Sequence, residues 1–307
     1  VIDSVQFQDL ETGEKFTVKA KAVINATGAF CDSIRKLSDD KSEKIIAPSQ
    51  GIHLVFDKEF LPSENALMIP KTSDGRVLFA IPWHEHAVFG TTDTKINSLE
   101  LEPKAFEEEI DFILETAKNY VENPPQRKDI LSIFVGIRPL VKSANKENTS
   151  KLSRDHLIEI NKSKLLTITG GKWTTYRNMA EDAINQAINL HQFSDRKCVT
   201  ENLKIFNSDA EKIEKIIAEN PALAKKIHKK LPYKKAEIIY AVRYEMARTI
   251  EDFLARRIRL LFLNAKLAVE IAPLAVEIMA IELGKDKSWI TEQIQNFNQT
   301  AENYLIR

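Results

Sequence analysis

Leu165 to Arg177 reads LLTITGGKWTTYR: a short apolar strand stops at Gly170-Gly171, and a helix follows with Lys172, Trp173, Thr174 and Thr175 at its start. Adjacent glycines let backbone approach a flat ligand closely, and the free N–H groups of a helix start favour negative charge. Beyond Trp173, the residues Tyr176, Ala180, Ala183, Ile184, Ala187 and Ile188 keep helical spacing. Two readings stay open at this point. The turn is either a seat for an anionic ligand or a strand-to-helix junction that needs glycine for tight packing.

Working outward, residues 3 to 10 and 14 to 24 alternate as a hairpin around Glu11-Thr12-Gly13. The second strand ends in Ile24-Asn25-Ala26-Thr27-Gly28, where small residues precede a helix from Cys31 to Leu37. Between 45 and 94, GIHLVFD, NALMIPK, RVLFAIPWH and HAVFGTTD are separated by turn residues, which predicts a half-buried antiparallel sheet. Pro103 stands where a first-turn proline belongs, ahead of a helix with Phe106, Ile110, Ile113, Leu114, Ala117 and Val121 on one face. SIFVGIRPLV returns as a strand, and HLIEI pairs with LLTIT. After residue 200 helical patterns dominate, with Ser208 and Glu211 as a capping box and Pro221, Pro232 and Pro273 separating helices. The run Arg256-Arg257-Ile258-Arg259 reads as a solvated or salt-bridged helix face.

The chain has 307 residues, enough for about two domains. Its 44 basic and 44 acidic residues cancel, so no global field argues for nucleic acid or an acidic membrane, and any binding must be local. Cys31 and Cys198 lie far apart and suggest neither a disulfide framework nor a metal site, so a reduced setting is expected. No apolar run is long enough to span a bilayer.

GGKWTTYR resembles the flavin-facing segment of FAD-dependent glycerol-3-phosphate dehydrogenases. Six other segments agree with that family in order: INATGAFCDSI, GIHLVFD, AIPWHEHAVFGTTD, GIRPLV, SRDHLIEI and LARRIRLLFLN. The resemblance implies an α+β fold: part of a FAD-binding α/β domain at 1-44 and 141-195, a substrate-binding antiparallel sheet at 45-140, and a helical C-terminal domain at 200-307. It implies oxidation of sn-glycerol 3-phosphate to dihydroxyacetone phosphate, with electrons passed to quinone or oxygen by an enzyme peripheral to the inner face of a membrane. A homodimer is an open alternative, as are another FAD-dependent oxidase and a non-catalytic anion-binding module. No G-x-G-x-x-G fingerprint occurs, and nine glycines are few beside the roughly 7 % of average composition. The resembling family carries that fingerprint ahead of the segment matching Val1, so the expectation is a chain lacking most of the FAD site and inactive alone.

Hydride transfer from a secondary alcohol needs a phosphate anchor, a base and positive charge near the reduced flavin. Arg138, directed by Pro139, and Arg154 are the candidate anchors, since a guanidinium matches phosphate bidentately. Either equally suits a surface ion pair. His53 is the candidate base: it alternates with Ile52 and Leu54, and imidazole titrates near neutrality. A structural strand histidine fits the same pattern. Under the resemblance, Lys172 and the amides near Trp173 and Thr174 face the flavin N1 and C2 carbonyl, while Ala26, Thr27, Gly28, Gly170 and Gly171 line the cofactor. His84 and His86 lack a convergent third metal ligand. Thr91, Thr92 and Asp93 form a strand-end turn, with a substrate-side role open.

Overall fold

A computed structural model of the chain describes residues 1–72, 75–142, 155–194, 196–205 and 209–306. Its strands are β1 (Ser4–Gln8), β2 (Lys15–Lys19), β3 (Ile24–Asn25), β4 (Ile46–Asp57), β5 (Leu67–Ile69), β6 (Leu78–Trp83), β7 (His86–Gly90), β8 (Thr94–Lys95), β9 (Ser132–Val141), β10 (His156–Ile160) and β11 (Leu166–Gly170). The α-helices are α1 (Cys31–Ser38), α2 (Glu107–Lys118), α3 (Tyr176–His191), α4 (Ala210–Glu219), α5 (Lys235–Tyr244), α6 (Leu260–Leu263), α7 (Ala265–Leu283) and α8 (Lys287–Ala301). They fall into two compact units. One comprises Val1–Gln50, Asp93–Glu100 and Ile137–Ile205, and the other Gly51–Thr92, Leu101–Gly136 and Phe206–Arg307.

In the first unit, β11 lies between β10, which is antiparallel to it, and β3, which is parallel. Leu166 and Ile168 pack there against Ala183 and Ala187 of α3. The helix is where the sequence placed it, but its buried face is narrower: Tyr176 is 49 % and Ile184 51 % exposed. Alanines face the sheet because only a short side chain lets helix and strand approach closely. Arg35 of α1 is 3 % exposed and its fork clasps Glu159 of β10 at 2.6 Å through both Nε and Nη2. Asp32 completes the network, accepting from Arg35 Nη1 and from the Ile45 and Ile46 amides. Burial opposes the Arg35 charge, but the bonds and fields of Glu159 and Asp32 outweigh it and raise its pKa. Glu159→Gln should therefore leave a buried cation under-compensated and cost about 2–4 kcal/mol in a denaturant titration.

In the second unit, β5, β6, β7 and β4 form an antiparallel sheet whose alternation is the one the sequence showed. Ile52, Leu54, Phe56, Ala80 and Phe89 point to one face and pack on Ile110, Ile113, Leu114 and Ala117 of α2. The β6–β7 turn puts His84 and Glu85 both at positive φ. α2 begins at Glu107, four residues beyond Pro103, so Pro103 is not a first-turn residue. The Glu109 carboxylate instead closes the end by accepting from the Phe106 amide at 3.1 Å.

The helices of this unit surround a core of Phe253, Leu254, Leu261, Ile271, Val276, Met279 and Phe297. Strand β9 is stitched to them: Ser132 Oγ donates to the Leu261 carbonyl, and the Ile133 amide to that of Tyr304. Two sequence expectations change. Ser208 lies outside the described residues, and the cap of α4 is Asp209, which accepts from the Glu211 and Lys212 amides. Pro273 does not end a helix but sits inside α7, where Ile271, Ala272, Ala275 and Val276 are almost fully buried. That burial outweighs the roughly 3 kcal/mol cost of an interior proline. Among the described residues no helix is long and apolar enough to cross a membrane.

Glu102 is pushed to higher pKa first by burial and then by Glu251, despite accepting a bond from the Tyr304 hydroxyl at 3.2 Å. A carboxyl raised on folding binds protons more tightly in the native state, so stability falls as pH rises through its folded pKa. Glu102→Gln keeps an acceptor for Tyr304 and removes that charge. The variant should melt higher than the parent at pH 7, with the gap closing in acid, in a thermal scan.

Candidate functional site

Strands β3 and β11 run parallel in register, Ile24 beside Leu166 and Asn25 beside Thr167, and both end in a turn leading to a helix. The carboxyl edge of such a pair gathers helix starts and loop backbone at one side, the usual place for a ligand on an α/β sheet. Asn25, 2 % exposed, organises the first turn: its amide donates to the Cys31 carbonyl and to Thr167 Oγ1, while its oxygen accepts from the Thr27 hydroxyl at 2.8 Å. Thr169 Oγ1 donates to the Gly28 carbonyl at 3.2 Å, tying the two turns together. Gly28 has φ +58°, and no atom lies within 4 Å of where a Cβ would stand. Its outer side is open.

The Gly170-Gly171 turn differs. Both residues have positive φ, +77° and +73°, and added Cβ atoms would fall 2.8 Å from Val141 Cγ2 and 2.4 Å from Met179 Sδ. Glycine is required here by backbone conformation and packing together. The turn then opens into Trp173–Thr175, a short 3-10 segment before α3, where Thr175 Oγ1 accepts from the Lys172 amide. Trp173 is 86 % exposed and stacks on Tyr176 at 5.5 Å.

Arg138 on β9 reaches the same place. Ile137, Arg138, Pro139, Leu140, Gly170, Gly171 and Lys172 line one cavity of about 270 Å³. Asp93 faces Arg138 at 3.5 Å and also accepts a 2.5 Å bond from Ser49 Oγ, itself fully buried. The Asp93 carboxylate is therefore fixed from one side and aims the guanidinium from the other. Of the two anchors expected from sequence, Arg138 shares its cavity with Lys172, and Arg154 lies outside the described residues.

His53 belongs to the other unit. Its neighbours Ile52 and Leu54 are fully buried in the core face, so the ring projects from the opposite side of β4, as alternation requires. It stacks on Phe134 at 4.8 Å, Phe134 meets Phe262 edge-on, and Phe262 meets Tyr304. Phe262 lies in LARRIRLLFLN, so that helical motif braces the histidine from behind. Gly90 is the register partner of His53, and a Cβ there would stand 2.4 Å from His53 Cδ2 and 2.9 Å from the Ile52 carbonyl oxygen. Thr92, next along, is structural: it accepts from the Ile52 amide and donates to buried Glu109. Arg256 and Arg257 form ion pairs with Glu251, Asp252 and Glu245, the salt-bridged face expected of them.

Sequence reasoning left a substrate-side role open for Asp93 and did not assign Asn25, Ser49, Gly90 or Phe134 to the site. Asn25 carried a signal, a polar residue closing an apolar strand before small residues. Gly90 and Phe134 carried none, because strand register and tertiary stacking bring them to His53.

Residues 2–177 match the profile of the family described as FAD dependent oxidoreductase, and residues 162–289 match that of the C-terminal domain of alpha-glycerophosphate oxidase. The chain is 36 % identical over 341 aligned residues to glycerol-3-phosphate dehydrogenase SDP6, mitochondrial, of Arabidopsis thaliana, covering 95 % of the chain and 54 % of that protein. To the probable mitochondrial glycerol-3-phosphate dehydrogenase of Caenorhabditis elegans it is 38 % identical, covering 96 % and 48 %. The chain thus spans about half the length of these relatives. The solved glycerol-3-phosphate dehydrogenase from Bacillus halodurans, complexed with FAD, superposes with a TM-score of 0.75 at 24 % identity, over 98 % of the chain and 66 % of that structure, a likeness of fold. With its profile match running through more than half of its residues, the chain belongs to the FAD dependent oxidoreductase family.

Proposed function

We propose that this chain supplies the substrate side and the flavin-facing turn of an enzyme that oxidises sn-glycerol 3-phosphate to dihydroxyacetone phosphate. The observation that carries the reading is Arg138, aimed by Asp93, in one cavity with Lys172 and the Gly170-Gly171 turn. The names of the relatives, glycerol-3-phosphate dehydrogenases, support the same substrate.

The residues present fit the flavin-facing part of a flavin dinucleotide, not the ADP part that a G-x-G-x-x-G turn would hold. Gly28 is open on its outer side, and the carboxyl edge of β3 and β11 offers Ala26, Thr27 and the Trp173 and Thr174 amides, which helix geometry leaves without intrahelical acceptors. FAD, when bound, supplies the hydride acceptor. The Arg138 fork holds two phosphate oxygens, and Arg154 is its second donor in this reading. Lys172 adds a point charge beside the turn. His53 takes the hydroxyl proton; because its Nδ1 is buried, Nε2 is the receiving atom. Electrons then pass to a quinone, with oxygen as the alternative acceptor, and any membrane contact of the described residues is peripheral.

The experiment is anaerobic mixing of the flavin-loaded enzyme that contains this chain with sn-glycerol 3-phosphate, with glycerol and glycine as comparisons. Loss of the visible flavin absorbance with the phosphate ester alone is expected. Bleaching by glycine, or equal bleaching by unphosphorylated glycerol, rejects the assignment.

A further inference from the structure

The chain is electrically neutral as a whole, yet residues 225–235 read KKIHKKLPYKK, six lysines and a histidine with no acidic residue. The fold gathers them. The Lys235 amide donates to the Lys225 carbonyl at 2.9 Å, the Ile227 amide donates to that of Tyr233 at 2.9 Å, and Lys226 bridges Lys234 antiparallel. Lys225 thus stands across from Lys235, and Lys226 across from Lys234. Like charges directly opposite one another are destabilising.

The loop then runs into α5 with Lys234 as its N-cap, so the cluster also sits at the positive end of a helix dipole, the wrong end for cations. Little within the protein offsets this. Lys234 pairs with Glu214 at 3.1 Å, and His228 lies 3.7 Å from Glu270. Glu237 spends its carboxylate on the Lys234 amide. Among the described residues Lys225, Lys226, Lys229, Lys230 and Lys235 make no ion pair, and the first four are exposed. Two conformational penalties and an unbalanced charge in one eleven-residue loop fit an external anion as the missing counterpart.

We propose that this loop is a docking surface for an anionic phospholipid bilayer. Flexible ammonium groups match the diffuse field of a headgroup layer, worth roughly fivefold in binding per lysine near the surface. The loop has no arginine, the residue that favours bidentate phosphate and base contacts in nucleic-acid recognition. Pro232, Ala222 and Ala224 are exposed around the lysines, so apolar atoms accompany the charges, as at a membrane interface. The surface deepens the peripheral membrane contact in the reading above and would bring a quinone-linked enzyme to the layer that holds its acceptor.

The test is co-sedimentation of the purified protein with phosphatidylcholine vesicles, with and without phosphatidylserine. Binding only to the anionic vesicles, reversed by salt, is expected. The quadruple variant K225Q/K226Q/K229Q/K230Q should weaken that binding by about 100-fold or more, while the control K285Q/K287Q binds as the parent does. Unchanged circular dichroism of both variants, with melting no lower than the parent's, confirms folding, and the quadruple variant should melt slightly higher because its opposed like charges are gone. Equal binding to neutral vesicles, full binding by the quadruple variant, or retention by RNA without retention by vesicles overturns the proposal. No step depends on catalysis, so a chain that binds vesicles but does not oxidise glycerol 3-phosphate defeats only the functional reading.

Discussion

Arg138→Ala is expected to raise KM for sn-glycerol 3-phosphate by about two to three orders of magnitude, with a much smaller change in kcat. A guanidinium that grips phosphate contributes charge-assisted bonds, and losing one such partner typically costs about 2–5 kcal/mol. The phosphate is remote from the carbon that reacts, so its contacts are equally strong in ground and transition states, and their loss is read in KM. Arg138→Lys should recover only part of the effect, since an ammonium cannot reproduce the fork. Asp93→Asn separates positioning from binding: without its carboxylate the guanidinium loses its 3.5 Å partner, and KM should rise less than in Arg138→Ala. Steady-state kinetics at fixed acceptor concentration decide this. An unchanged KM in Arg138→Ala removes the arginine from the phosphate site.

His53→Gln should lower kcat by about 100-fold to 10,000-fold, the range for loss of a positioned base, with KM little altered. The pH profile carries the decisive information, because the limb due to imidazole should vanish in the variant while the remaining activity rises with hydroxide. Gly90→Ala tests the same role without touching the histidine. Its methyl group would stand 2.4 Å from the ring and 2.9 Å from the Ile52 carbonyl, so the ring must turn away from its stack on Phe134. The fall in kcat should approach that of His53→Gln, while Gly136→Ala, whose Cβ meets nothing within 4 Å, leaves kcat near the parent value. Equal activity of the Gly90→Ala and parent proteins would show that ring placement there is irrelevant to turnover.

Much of this was legible along the chain because its signals are local. Alternation in GIHLVFD assigned Ile52 and Leu54 to one face and His53 to the other, and the strand obeys it. The LLTITGG junction announced strand, turn and helix, and each is present. Errors arose where a local rule met a tertiary competitor. Pro273 reads as a helix stop, yet burial of its neighbours carries α7 through it. Tyr176 and Ile184 read as core positions of α3, yet close packing on β11 selects alanines.

Composition and motif order by themselves determined the family-level expectation, the anion-favouring helix start and the candidate arginine and histidine, since each depends on residue type and spacing. Only the tertiary structure decided that Asp93 and Ser49 aim Arg138, that Gly90 makes room for the His53 ring, and that lysines ten positions apart face each other at the start of α5. Those relations depend on register and on contacts between distant segments. Such contacts are fixed when apolar faces are buried together, and no local pattern in the chain encodes them.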